Sequence, residues 1–225
     1  MRYIFLILVS FIAVFGDIQT EKNPKYLVDA VSKKISVQEK KERFYSLLVP
    51  AVEKVHNELM QRYITVAKDM KYGRNVKKIQ ALKSMYDVKT DAELLAALKP
   101  HPPSIVLAQA ALESSWGTSR FFRQANNIFG MHSINPNEPR IPAGKIKAGK
   151  RIVWMKKFKS IDDSVRSYYK VLATAKAYEE FRDARVKTNN PHVIVKELDK
   201  YSEIGDRYAE ELSAVIMHNN LTEYD

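Results

Sequence analysis

The feature that most constrains this chain is an apolar stretch that runs into a carboxylic acid, SIVLAQAALESSWGTSRFFRQANNIFGM at residues 104–131. Pro102 and Pro103 precede it, and proline suits the first turn of a helix, where its missing N–H has no partner to lose. Ile105, Ala108 and Leu112 recur at helical spacing, with Gln109, Glu113 and Trp116 on a neighbouring stripe. Gly117 supplies a stop, because glycine adopts the left-handed conformation that ends many helices. Glu113 therefore falls in the last turn, at the negative end of the helix dipole, which disfavours a carboxylate and raises its pKa. A carboxyl that stays protonated near neutral pH is suited to act as a general acid. A glutamate in a last helical turn is more often simply solvated, so it is the whole string that singles Glu113 out.

The rest of the chain reads as mainly helical. Residues 39–72 carry Phe44, Leu47, Leu48, Ala51, Val55, Leu59, Tyr63, Val66 and Met70 at helical spacing, with Pro50 inside and Gly73 at the end. A second helix is expected at 76–86. Thr90 and Glu93 form a capping-box pattern that opens a short helix to Leu98. Residues 133–149 break the pattern with three prolines and two glycines. Ile152, Trp154 and Phe158 then fall at even spacing, predicting a strand over 150–158 and hence a small β-hairpin lobe. Ser160 opens a helix to about 175, and further helices are expected at 177–187, 191–198 and 206–219. No internal repeat or low-complexity tract interrupts them. The fold class is mainly α (α+β), with one small β element.

A chain of 225 residues suits one domain with an extension. Residues 1–16, MRYIFLILVSFIAVFG, place one arginine before an apolar run of about 13 residues, short of the roughly 20 that span a bilayer as a helix. They read as a secretory signal peptide, with an uncleaved anchor as the alternative. Residues 17–38 form a polar, lysine-rich arm, and the folded domain begins at 39. There is no cysteine, which excludes disulfides, a lipid anchor on an N-terminal cysteine, thiolate nucleophiles and cysteine zinc sites. The net charge of +11 suits an anionic polymer. For an exported chain that partner is the anionic polymer of the cell wall rather than nucleic acid, or the lysines are simply a soluble surface.

Several constellations do not carry chemistry. Residues 144–150 fit the G-x-x-x-x-G-K spacing of a phosphate loop, but Arg151 stands where that motif needs Ser or Thr, and strand-like sequence follows where a helix is required. The five histidines show no H-x-x-x-H or H-E-x-x-H spacing, so no metal is expected. Ser114 and Ser115 lack the G-x-S-x-G context of a serine nucleophile. Trp116, Phe129 and Trp154 could stack on sugar rings or fill the core. Asn126 and Asn127 could bind N-acetyl groups or form a turn.

The string AQAALESSWGTS at 108–119, with NNIFG at 126–130, resembles the glucosaminidase family of bacterial cell-wall hydrolases, in particular its Bax-like branch. The resemblance continues in FKSIDDSV at 158–165, in Tyr168, and in YSEIGDRY at 201–208. It implies a lysozyme-like helical domain and an exported, monomeric endo-β-N-acetylglucosaminidase acting on peptidoglycan glycan strands without a cofactor. Membrane contact arises only if the N-terminal segment is retained. By the same resemblance Glu113 is the general acid and a tyrosine of the C-terminal stretch sits in the cleft, with Tyr201 favoured and Tyr208 the fallback; Gln109, on the same helical stripe as Glu113, is a candidate substrate-binding residue.

Glycoside hydrolysis usually employs two carboxyls. Members of the family often carry the second on the β-lobe, yet residues 143–158 hold no acidic side chain. Glu138, in the preceding loop, is the remaining candidate base; substrate assistance by the acetamido group is the alternative. Two rival functions share the fold: a non-catalytic glycan-binding module and a lytic transglycosylase.

Overall fold

The computed structural model describes residues 35–144 and 152–225. The expected signal peptide, the arm up to residue 34 and nearly all of the G-x-x-x-x-G-K stretch lie outside the described residues.

The molecule is mainly α with a two-stranded sheet, as the sequence predicts. Helix α1 (Val37–Lys71) starts two residues before the expected domain boundary, because Ser36 caps it by accepting from the Glu39 N–H. Glu39 in its first turn and Lys68 and Lys71 in its last complement the helix dipole, and Pro50 lies within it. Helix α2 (Val76–Tyr86) has the predicted limits. Helix α3 (Asp91–Leu98) opens on the complete Thr90–Glu93 capping box. Helix α4 (Pro103–Glu113) is buried continuously from Pro103 to Ala111 rather than along one stripe. At its start Ser104 donates from both N–H and Oγ to the Asp225 carboxyl.

Helix α5 (Arg120–Ala125) was not anticipated, since six residues are too few to display a period. The predicted strand shrinks to β2 (Trp154–Lys156), paired antiparallel with β1 (Arg140–Pro142), so that Arg140 faces Lys156 and Pro142 faces Trp154. Helix α6 (Ile161–Thr174) is capped by Ser160, and α7 (Glu179–Lys187) follows a 3₁₀ turn, Lys176–Tyr178. The helix expected at 191–198 is a single turn, α8 (Pro191–Ile194), continued by a 3₁₀ segment, Val195–Tyr201. Helix α9 (Asp206–His218) and a 3₁₀ turn, Leu221–Tyr224, complete the chain.

The main core gathers Phe44, Leu48 and Val52 of α1, most of α4, Phe122, Ile128, Val165, Leu172 and Leu212. A second, smaller cluster joins Val66 of α1 to Ile79, Leu82, Leu94 and Leu98. Helix α4 is thus the central rod, and both α1 and α9 pack against it.

Candidate active site

Helix α4 ends at Glu113, and the backbone then turns left-handed for three residues in a row: Ser115 (φ 51°), Trp116 (φ 59°) and Gly117 (φ 73°). Left-handed geometry costs a residue with a Cβ roughly 1–2 kcal/mol, so the turn must be held by other bonds. Buried Ser114 holds it. Its Oγ donates to the Ala110 carbonyl and accepts from the Gly117 N–H at 2.8 Å, while its carbonyl accepts from the N–H groups of Thr118 and Ser119. A Cβ on Gly117 would lie 3.3 Å from the Phe122 ring, a tight contact added to the strain of its φ. The turn fixes where the Glu113 side chain leaves the helix.

The Glu113 carboxyl is half-buried. Tyr208 of α9 donates to its Oε1 at 2.8 Å, and Oε2 has no hydrogen-bond partner among the described residues. Its pKa is raised. The largest cause is burial, which penalises the charged form; the Tyr208 bond opposes it by stabilising the anion. The raised direction is the one the sequence led us to expect, but the cause is burial by neighbouring elements.

Gln109, one turn earlier on α4, is fully buried and donates from Nε2 to the Tyr208 hydroxyl at 3.1 Å. It therefore sits behind the acid rather than in reach of a ligand. Tyr208 is buried too, and Tyr201 stacks on it at 5.5 Å between ring centroids. The order of the two tyrosines is the reverse of the expectation: Tyr208 touches Glu113. Tyr201 is half-buried, its hydroxyl has no hydrogen-bond partner among the described residues, and it lies beside Tyr178. Burial and the nearby Glu113 charge both raise the Tyr201 pKa, so its phenol stays protonated.

The remaining candidates do not join this group. Both ends of the Asn127 amide are used on backbone: Nδ2 donates to the carbonyls of Met131 and Lys156, and Oδ1 accepts from the Met131 N–H. Asn126 ends α5 in left-handed conformation and donates to the Phe158 carbonyl. The turn-forming alternative therefore describes both asparagines, and they anchor the hairpin lobe. Phe129 is core, stacked on Tyr168 at 4.1 Å. Half-buried Trp116 packs edge-on against Phe44 and Tyr45 under the turn. Trp154 stays half-buried on β2 with the Arg140 guanidinium 4.5 Å above its ring. Glu138 is ion-paired with Lys156 at 3.1 Å. Hydrogen bonds from Ser133 and Lys156 hold its pKa below the ordinary value, which weakens it as a base.

Among the described residues no three His, Asp or Glu side chains converge as a metal site. The sequence reading missed His101 and Arg185, which stand behind Tyr168 and are buried. His101 had no ligand spacing, and Arg185 sits in a polar helix, so neither carried a signal.

The family described as Mannosyl-glycoprotein endo-beta-N-acetylglucosaminidase (Glucosaminidase) matches residues 89–221. That span runs from the start of α3 to the end of the chain's last full helix and contains Glu113, Tyr201 and Tyr208. Protein bax of Escherichia coli strain K12 is 33% identical over 124 residues, 52% of this chain and 43% of that protein. Exo-glucosaminidase LytG of Bacillus subtilis strain 168 is 30% identical over 141 residues, 55% of this chain and 46% of that protein. The chain thus matches somewhat less than half the length of each of these relatives. The catalytic domain of the autolysin Auto from Listeria monocytogenes shares the fold, with a TM-score of 0.53 at 19% identity over 87% of this chain and 92% of that one.

Proposed function

Because the chain belongs to the glucosaminidase family, in its Bax-like part, we propose that it is an exported glycoside hydrolase of peptidoglycan. It cleaves the β-1,4 bond after N-acetylglucosamine, with Glu113 as general acid. The observation that carries this reading is the Glu113 carboxyl itself: partly desolvated, shifted towards the protonated form, and, among the described residues, bonded on Oε1 alone.

In this reading Tyr208 holds Oε1, and the proton on Oε2 is delivered to the leaving glycosidic oxygen. As that bond breaks, positive charge grows at the anomeric carbon. Tyr201, whose hydroxyl has no hydrogen-bond partner among the described residues, presents an electron-rich oxygen near that carbon. Glu138 keeps a place as candidate base only if it leaves Lys156. That pairing favours the substrate's own acetamido group as the second participant: its carbonyl oxygen bonds to the anomeric carbon as the leaving oxygen takes the proton, and water then opens the ring so formed. Trp154 and the basic surface would serve binding to the glycan and to anionic wall polymers.

Digestion of purified peptidoglycan with mass-resolved products tests this. New reducing N-acetylglucosamine ends are expected. Anhydro-muramyl ends would make the protein a lytic transglycosylase instead. Binding without any product would make it a glycan-binding module.

A further inference from the structure

Behind Glu113 runs an unbroken file of buried polar side chains. Tyr208 bonds Glu113, and Gln109 bonds Tyr208. Tyr168 of α6 donates to the other end of the Gln109 amide, Oε1. His101 Nε2 lies 3.0 Å from the Tyr168 hydroxyl, and Arg185 Nη1 lies 3.4 Å from His101 Nδ1. Arg185, His101, Tyr168 and Gln109 are all at most 1% exposed.

The direction of this file follows from its far end. A guanidinium has donors and no acceptor, so His101 Nδ1 must accept. His101 is neutral, because burial and the neighbouring Arg185 and His56 all depress its pKa. A neutral imidazole that accepts at Nδ1 carries its proton on Nε2, so His101 donates to Tyr168. Tyr168 then donates to Gln109 Oε1, Gln109 donates from Nε2 to Tyr208, and Tyr208 donates to Glu113 Oε1. Each group has one role left once its neighbour's is set.

Arg185 is difficult to explain by packing alone. Burying a guanidinium with no carboxylate beside it is costly, and among the described residues none pairs with it. Its Nη2 is held by the carbonyls of Ala96 and Ala97 at the C-terminal end of α3, where the helix dipole favours a cation. Burial lowers its pKa to about 9, which leaves it charged at neutral pH. An apolar residue would fill the volume; what a cation adds is a donor that cannot reverse.

We propose that Arg185 and His101 are positioning residues for the acid: Arg185 fixes the tautomer of His101, and the hydrogen-bond file carries that polarity to Glu113, so that Oε1 always accepts and the catalytic proton resides on Oε2. This rests on Glu113 being the general acid. Besides Tyr208 of α9, the titratable groups facing Glu113 are Tyr201 of the Val195–Tyr201 3₁₀ segment and Tyr178 of the Lys176–Tyr178 turn; all three are phenols that stay neutral, so none competes as a proton source. Around His101 the corresponding groups are Arg185, His56, Tyr168 and Tyr169.

Two NMR measurements on the full chain test it without relying on turnover. The ¹⁵N shifts of His101 should show the Nε2–H tautomer in the wild type; an Nδ1–H tautomer would overturn the proposal outright. The Glu113 carboxyl carbon should titrate higher in Tyr168→Phe than in the wild type. That change interrupts the file without touching Glu113 or Arg185 and lets the Gln109 amide turn over. A rise of roughly half a unit to one unit is expected for losing an oriented donor to a carboxylate, and the alkaline limb of the pH–rate profile should move up with it. In Arg185→Lys, which keeps the charge but not the planar fork, His101 should lose its single tautomer. An unmoved Glu113 titration in folded Tyr168→Phe would refute the relay. Full activity in Glu113→Gln would refute the general-acid role instead, while leaving the tautomer result intact.

Discussion

Tyr208 reaches across from α9 to donate a 2.8 Å hydrogen bond to Oε1 of Glu113, 95 positions earlier in the chain. This contact ties the acid's geometry to a helix that its own sequence motif does not include. It also leaves Oε2 without a hydrogen-bond partner among the described residues, and in the proposed reading that oxygen carries the proton.

Glu113→Gln should keep the fold and lower peptidoglycan turnover by about 10²–10⁴, the usual worth of general acid catalysis. Activity within about threefold of wild type, well under that range, would remove Glu113 from the role. The same variant makes a stability prediction. Burial raises the folded-state pKa of Glu113 above 4.5, so protonated Glu113 favours the fold at low pH. That contribution is lost as pH rises through the raised value. Melts should therefore show Glu113→Gln gaining on the wild type between acid and neutral pH, with the difference smallest below about 4.5, the unperturbed range.

Tyr208→Phe and Tyr201→Phe should separate. Tyr208→Phe removes the donor to Glu113 and the acceptor of Gln109, so it should lower turnover and move the alkaline limb of the pH profile upward. Tyr201→Phe removes a hydroxyl with no protein partner among the described residues. It should lower kcat at least about tenfold, on the order of 1.4 kcal/mol in barrier, with the limb in place. Wild-type turnover in folded Tyr201→Phe would leave Tyr201 only its stacking on Tyr208.

Glu138→Gln should cost less than either. Its carboxylate is paired with Lys156, and an exposed pair of this kind contributes about 0–1 kcal/mol. Turnover on the same substrate, with a melt to check folding, decides it: a folded but inactive Glu138→Gln would restore a two-carboxylate mechanism.

Gly117→Ala should destabilise the protein by roughly 1–2 kcal/mol, the cost of a Cβ in left-handed backbone, measured by denaturant unfolding. The added methyl meets the Phe122 ring at 3.3 Å, so either that buried ring or the turn after Glu113 gives by a few tenths of an ångström. Activity should fall by more than the small unfolded fraction explains; unchanged activity would mean that the turn does not set the acid.

Local chemistry determined much of this protein from sequence alone. The Thr90–Glu93 capping box, the Ser160 cap, the limits of α2 and the end of α4 are set by bonds within a few residues of each other. Those bonds form wherever such residues occur, so a short string suffices to predict them. The ESSWG turn is of the same kind, which is why the amino-acid string by itself singles out Glu113. Tertiary structure decided the rest. Whether Tyr201 or Tyr208 meets the acid depends on how α9 docks on α4. Asn127 turned out to hold the lobe because the Lys156 carbonyl comes within 2.8 Å of it. The file from Arg185 to Glu113 draws on α7, the residue before the α4 prolines, α6, α4 and α9, and no spacing rule links those positions. Burial raises the Glu113 pKa, and burial is a property of the packed chain: the motif supplies the carboxyl, and distant segments supply the surroundings that favour its protonated form.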